Sequence, residues 1–423
     1  MNLTSRTTAT AATIFIASAL PLMAAEFRAG AARIDITPAT NAALPMAGYG
    51  SRVEGFKGVH DPLYVRALVV DDGSARAAIV SVDMLTITEN FWKRMTQRIE
   101  REAGVPSKMI LLASTHSHAA PSVRAVKPEF EVRWKPWMVE LEDKIVRAVV
   151  EAKGLLKPAR YGAGTGKAYV NTNRRARMAS GAWGLGVNPE GPSDKTVSVI
   201  KFESLAGEPI AIFFNYCVHG TVTGPRNYEV SGDLPGAAER HVEQQFGGRA
   251  VALFTSGTAG DQNAIYGPGN DWGQVAILGR ILGEEVVRVA STIRTTPHAR
   301  IRGAQQTVTC PGRTMTPESK PSEGKISFVD ADPVSIRVSL LMVGHLALTG
   351  ISGEVLTRIG TRVKAESPFA FTTVSTHANG AIGYIPDDAS YDQVSYEIWV
   401  TRLKPGCAET AITSTLREMM DQM

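Results

Sequence analysis

Met109-Ile110-Leu111-Leu112-Ala113-Ser114-Thr115-His116-Ser117-His118 constrains this chain more than any other stretch. Its apolar run has the length of one strand and hands two histidines, with one residue between them, to a loop that Pro121 turns away from helix. Side chains at i and i+2 of an extended segment point the same way. Either both imidazoles face a metal, or one ligates while the other stands beside it, and the second arrangement is the one expected. The same delivery recurs along the chain. Residues 209–218 run apolar into His219-Gly220, and residues 251–254 lead into Thr258-Ala259-Gly260-Asp261-Gln262-Asn263. Residues 334–348 read as paired strands leading to Gly353-Glu354 at the start of a helix, and residues 369–375 form a strand ahead of Gly383-Tyr384.

Amphipathic helices separate these runs. Thr88 opens one with Phe91, Met95, Ile99 and Ala103 on a single face, and Gly104 with Pro106 closes it. A second is read with Pro136 in its first turn and Trp137, Leu141, Ile145 and Val149 inward, ending at Gly154. A third starts near Asp271 and turns Val275, Leu278, Leu282, Val286 and Val289 inward. Residues 64–70 and 77–82 flank Asp71-Asp72-Gly73 as a hairpin, residues 171–175 read as a polar loop, and residues 320–325 form a charged excursion. Strand, helix, strand in this order predicts an α/β fold: a mixed, layered sheet with flanking helices in one large domain, with a metal site at the strand ends.

Composition narrows the function. A net charge of +4 is gathered into no block, which sets nucleic acid aside as a partner. Three cysteines without C-x-x-C spacing give no thiolate zinc site; they allow one bridge, with Cys310 and Cys407 the favoured pair, though spacing alone does not fix the pairing. At the start, Arg6, the apolar residues 14–20 and the small pair Ala24-Ala25 have the layout of a cleavable signal. The expected organisation is therefore a signal peptide over residues 1–25 and a catalytic domain over 26–423. The protein should be periplasmic or secreted, with no stable membrane span.

His116, His219 and Glu354 make two imidazoles and a carboxylate, the usual three-ligand catalytic zinc set, and Tyr384 would be an unusual fourth. Taken singly, each has a plainer reading. His219 is as well placed for a buried structural histidine, Glu354 for a helix-dipole partner, and Tyr384 for a loop aromatic. His60, His241, His298, His345 and His377 are assigned mostly to structure, with His60 the one to watch.

In order and identity, these motifs resemble the catalytic domain of the neutral, non-lysosomal ceramidases. The likeness runs from Asp35-Ile36-Thr37 through Met46-Ala47-Gly48-Tyr49 and Arg66-Ala67-Leu68 to about Trp399. It implies zinc held by His116, His219, Glu354 and Tyr384. It further implies that His118 assists at the reacting carbonyl and that Arg174, in Asn173-Arg174, and Tyr396, in Tyr396-Glu397, belong to the active site. The chain departs from the family where Gly260-Asp261-Gln262-Asn263 places Asn263 at the position of the family's proposed catalytic serine. An amide is no alkoxide nucleophile, so the expected nucleophile is zinc-bound water, with Asn263 left to bind substrate or orient that water. Longer relatives continue into an immunoglobulin-like domain, whereas residues 408–419 here read as a closing helix, which weighs against ceramide itself. The expectation is an exported zinc-dependent amidohydrolase acting on a small N-acyl or lipid-like substrate. The alternative is a degenerate member whose zinc braces a pocket for an exported lipid or glycan.

Overall fold

Strands buried on both faces need a covering layer on each side. Tyr64–Asp71, Arg76–Val82 and Ile110–Ser114 are buried along almost their whole length. They belong to an eight-stranded sheet whose order is Val251–Ser256, Pro209–Tyr216, Thr196–Ser204, Lys157–Lys167, Arg28–Asp35, Tyr64–Asp71, Arg76–Val82, Ile110–Ser114. A four-stranded sheet of Ile301–Met315, Phe328–Val343, Leu346–Ile351 and Phe371–Ser375 lies beside it. The structure is a computed structural model in which residues 26–124, 126–321 and 325–423 are described. The signal expected over residues 1–25 and the middle of the 320–325 excursion lie outside the described residues.

Three parallel pairs interrupt the otherwise antiparallel pairing of these two sheets, and each is joined through a helix. Arg76–Val82 crosses to Ile110–Ser114 by Glu89–Ala103, Pro209–Tyr216 to Val251–Ser256 by Asp233–Gln245, and Leu346–Ile351 to Phe371–Ser375 by Thr357–Glu366. Parallel partners end at the same edge, so each pair delivers two loops side by side. A bridge from Ser117 to Gly220 joins the first two edges, and one from Ala113 to Ala378 joins the sheets. The fold is thus mixed α/β with flanking helices, as its strand and helix order predicts.

Local signals explain most boundaries. Thr88 accepts the Phe91 N–H at the start of Glu89–Ala103, and left-handed Gly104 ends it. The Asp271 carboxylate caps Trp272–Thr292 through the N–H groups of Gly273 and Gln274. The structure also departs from expectation, since the strands Lys157–Lys167 and Ile301–Met315 and the helix Asp233–Gln245 carry no clear periodic signal. The second helix starts at Pro128, which takes the first-turn position, so Pro136 lies inside Pro128–Gly154. A proline there forfeits one helical hydrogen bond, a loss that the apolar face from Phe130 to Ala152 outweighs. Residues 171–175 are no loop but part of the strand Asn171–Arg177. Their polar side chains are buried and bonded: Asn171 Nδ2 donates to the Asp194 and Cys217 carbonyls, and Arg175 reaches Ser390, Gln393 and Ser395. Hydrophobic periodicity cannot register a strand buried through polar partners.

The Cys310–Cys407 disulfide ties the outermost strand of the second sheet to the start of the closing helix Ala408–Asp421.

Candidate metal centre

His116 follows Ile110–Ser114 in a left-handed conformation (φ 63°), which turns its ring back across the strand end. Its Nδ1 lies 2.7 Å from the Leu85 carbonyl oxygen, and His219 Nδ1 lies 2.8 Å from that of Gln262. A carbonyl only accepts, so both rings carry a proton on Nδ1, and in the neutral tautomer this sets, the Nε2 lone pair points inward. Glu354 Oε1 sits 2.8 Å from His219 Nε2 and 3.6 Å from His116 Nε2. Two acceptors facing each other at 2.8 Å call for positive charge beside them, which Arg174 supplies from one side, 3.1 Å from His219 Nε2 and 3.9 Å from Glu354 Oε1, and a cation between them would supply directly. Bonds of about 2.0–2.2 Å from one divalent ion would set ligand atoms roughly this far apart. The donor set therefore fits zinc, with each histidine oriented by a carbonyl behind it.

Burial opposes charge on His219, and Arg174 beside it adds to this, taking the imidazole down to about 4. Burial also opposes ionisation of Glu354, but the imidazoles of His116 and His219 overcome it and hold the carboxyl well below its ordinary range. The expected helix-dipole effect is not what ionises Glu354. It stands on a two-residue strand, Glu354–Val355, and the helix begins only at Thr357.

That short strand pairs in parallel with Tyr384–Ile385, placing Tyr384 opposite Glu354. Burial raises the phenol well above its usual value against the pull of Arg174. Arg174 is the hub of the remaining contacts. It donates to the Tyr384 hydroxyl at 2.9 Å, to Glu397 Oε1 at 2.8 Å, to His219 Nε2 at 3.1 Å and to Asn263 Oδ1 at 3.4 Å. His118 Nε2 is 3.3 Å from His116 Nε2. Burial and the neighbouring imidazoles of His116 and His219 push His118 well below its usual pKa. Tyr396 stands further out, exposed, with its ring edge-on to Tyr384 at 5.7 Å.

All eight residues singled out by the sequence thus come to one place, Tyr396 at its rim. Two more belong with them. Glu397 is fully buried and fixes the Arg174 guanidinium, and only its place beside Tyr396 hinted at it. His377, assigned to structure by its sequence, packs its ring flat on His116 at 3.8 Å. A signal was present, since Ser375-Thr376-His377 repeats Ser114-Thr115-His116 at a second strand end. His60 instead bonds Asp61 and stacks on Trp272.

A family profile described as neutral/alkaline non-lysosomal ceramidase, N-terminal, matches residues 27–271. Neutral ceramidase B of Dictyostelium discoideum is 27% identical over 241 residues, 53% of this chain and 33% of that protein. Neutral ceramidase of Pseudomonas aeruginosa is 26% identical over 261 residues, 59% of this chain and 39% of that protein. The matched segment spans well under half the length of these curated relatives. The crystal structure of neutral ceramidase from Pseudomonas aeruginosa superposes with a TM-score of 0.77 at 18% identity, over 94% of this chain and 75% of that one. A ceramidase complexed with C2 gives 0.78 at 19%, over 93% and 75%. At these identities the superpositions speak to fold.

Proposed function

Because the chain belongs to the neutral/alkaline non-lysosomal ceramidase family, we propose that it is an exported, zinc-dependent hydrolase of an amide bond in an N-acyl, lipid-like substrate. The observation that carries this reading is the convergence of Glu354 Oε1 on His219 Nε2 at 2.8 Å and on His116 Nε2 at 3.6 Å, while both rings spend Nδ1 on a carbonyl. His116, His219, Glu354 and Tyr384 would hold the ion. Zinc in such a set makes water nucleophilic near neutral pH and polarises a carbonyl.

The chain's own residues supply the rest. Arg174, held by Glu397, keeps a permanent positive charge beside the site, where an oxyanion develops during acyl transfer. Its grip on Tyr384 also fixes that ring against Glu354. His118 is neutral at pH 7, so it can take up a proton and return it to the leaving amine. Asn263 offers an amide in place of a hydroxyl, suited to holding the substrate rather than attacking it. Tyr396 and Trp399, 6.5 Å apart, give the rim an aromatic wall for an acyl chain. The Cys310–Cys407 bridge supports export, because such bonds persist in oxidising compartments. Among the described residues no helix is long and apolar enough to cross a membrane.

The test is a panel of N-acyl substrates, from short acyl amino acids to ceramide, run with zinc-loaded and chelator-treated protein. Hydrolysis that disappears with the metal and with His116→Ala is the expected outcome. Full turnover by metal-free His116→Ala protein would refute it.

A further inference from the structure

We propose that His377 is a further metal-site residue of this chain, supplying an imidazole nitrogen to the cation held by His116, His219 and Glu354. This rests on the zinc reading above and adds a residue that the matched segment, residues 27–271, does not reach.

The backbone of His377 is bolted between the two segments that present the other donors. Its N–H donates to the Gly353 carbonyl at 3.0 Å, next to Glu354, and its carbonyl accepts the Ser114 N–H at 3.2 Å, two residues before His116. Like His116, it leaves its strand in the left-handed region, with φ 51° against 63°. Non-glycine residues rarely adopt this conformation, and at functional sites it serves to aim a side chain. Here the two Ser-Thr-His endings aim two rings at the same place.

The ring itself has no other occupation. It is buried, at 3% exposure, and lies nearly parallel to the His116 ring at 3.8 Å and 13°. His116 and His219 spend Nδ1 on a carbonyl, whereas among the described residues neither nitrogen of His377 forms a hydrogen bond. Its nitrogens are thus engaged by no protein group among the described residues and remain available to a cation. One of its nitrogens lies within 4.8 Å of the ligand atoms of both His116 and Glu354, and one ion can serve all three once the His377 ring tilts out of its stack on His116. A shell with this extra neutral donor binds more tightly and exceeds four protein ligands when Tyr384 is also bound.

The experiment titrates chelator-stripped full-length protein with Zn2+ against a competing indicator, comparing wild type, His377→Leu, His377→Gln and the control His219→Ala. Cobalt-substituted samples report coordination number through their visible bands, and X-ray absorption counts imidazoles. Expected is a loss of affinity of about tenfold or more in both His377 variants. The cobalt spectrum should change, and one imidazole fewer should be counted than in wild type. Should the leucine variant not fold, the glutamine variant and the wild-type imidazole count decide. Variants that match wild type in affinity, spectrum and imidazole count overturn this proposal alone. A folded wild type that takes up no zinc overturns both the proposal and the reading beneath it.

Discussion

At the scale of single residues, the site is governed by where protons are allowed to sit. The Leu85 and Gln262 carbonyls fix the tautomers of His116 and His219, and burial keeps His118 and His219 neutral. A second residue-level constraint concerns the position of His118. Gly48 has φ 96°, and a Cβ there would stand 2.3 Å from His118 Nδ1. Behind it the buried Arg52 guanidinium donates to the His118 carbonyl at 2.5 Å and stacks on Tyr49, whose ring lies 5.0 Å from the His118 ring. Gly48→Ala is therefore expected to displace His118 and lower turnover about a hundredfold, the range of a lost acid–base group, while zinc content stays at wild type. Steady-state kinetics beside metal analysis checks this. Unchanged kcat would mean that the position of His118 is immaterial to the reaction.

At the scale of elements, three parallel strand pairs do the positioning, each joined by a helix that carries the chain back so that both strands end at the same edge. The third pair belongs to the smaller sheet, whose outer strand Ile301–Met315 is fastened to Ala408–Asp421 by Cys310–Cys407 across 97 residues. Closing so long a loop restricts the unfolded chain, an effect of about 2–4 kcal/mol. The Cys310→Ala/Cys407→Ala double variant should lose stability of that order in urea titrations, with the metal site intact at 25 °C. An unchanged midpoint would mean that strain or residual structure cancels the restraint.

For the whole molecule, the described residues form three apolar clusters that border the charged centre without including its polar groups, one between the two sheets and their helices, one under Trp272–Thr292 and one under Ala408–Asp421. Removing the metal is therefore expected to leave a folded, inactive protein with unchanged far-ultraviolet circular dichroism. A zinc brace would instead take much of the folding stability with it. The metal-free protein should also weaken in acid. Unfolded His219 takes up a proton near its ordinary pKa of 6.5, while the folded ring resists until about 4, so stability present above pH 6.5 is lost as pH falls through this window. Glu354, held well below its ordinary value of 4.5, extends the loss further down. Thermal melts of metal-free protein between pH 7 and 4 test the sign, and a flat melting temperature would contradict it.

The sequence by itself determined the short apolar strands that carry the site, that helices separate them, and which polar groups stand at their ends, because periodicity, caps and short apolar runs are local properties. The family likeness then gathered His116, His118, His219, Glu354, Tyr384, Arg174, Asn263 and Tyr396 into one list. Tertiary structure decided what those groups do to one another. Only the pairing of Glu354–Val355 with Tyr384–Ile385 sets a carboxylate beside a phenol, and only the meeting of two sheets lays His377 on His116. The buried polar strand Asn171–Arg177 stayed hidden for the same reason. Its stability comes from distant hydrogen-bond partners, and no window along the chain contains them.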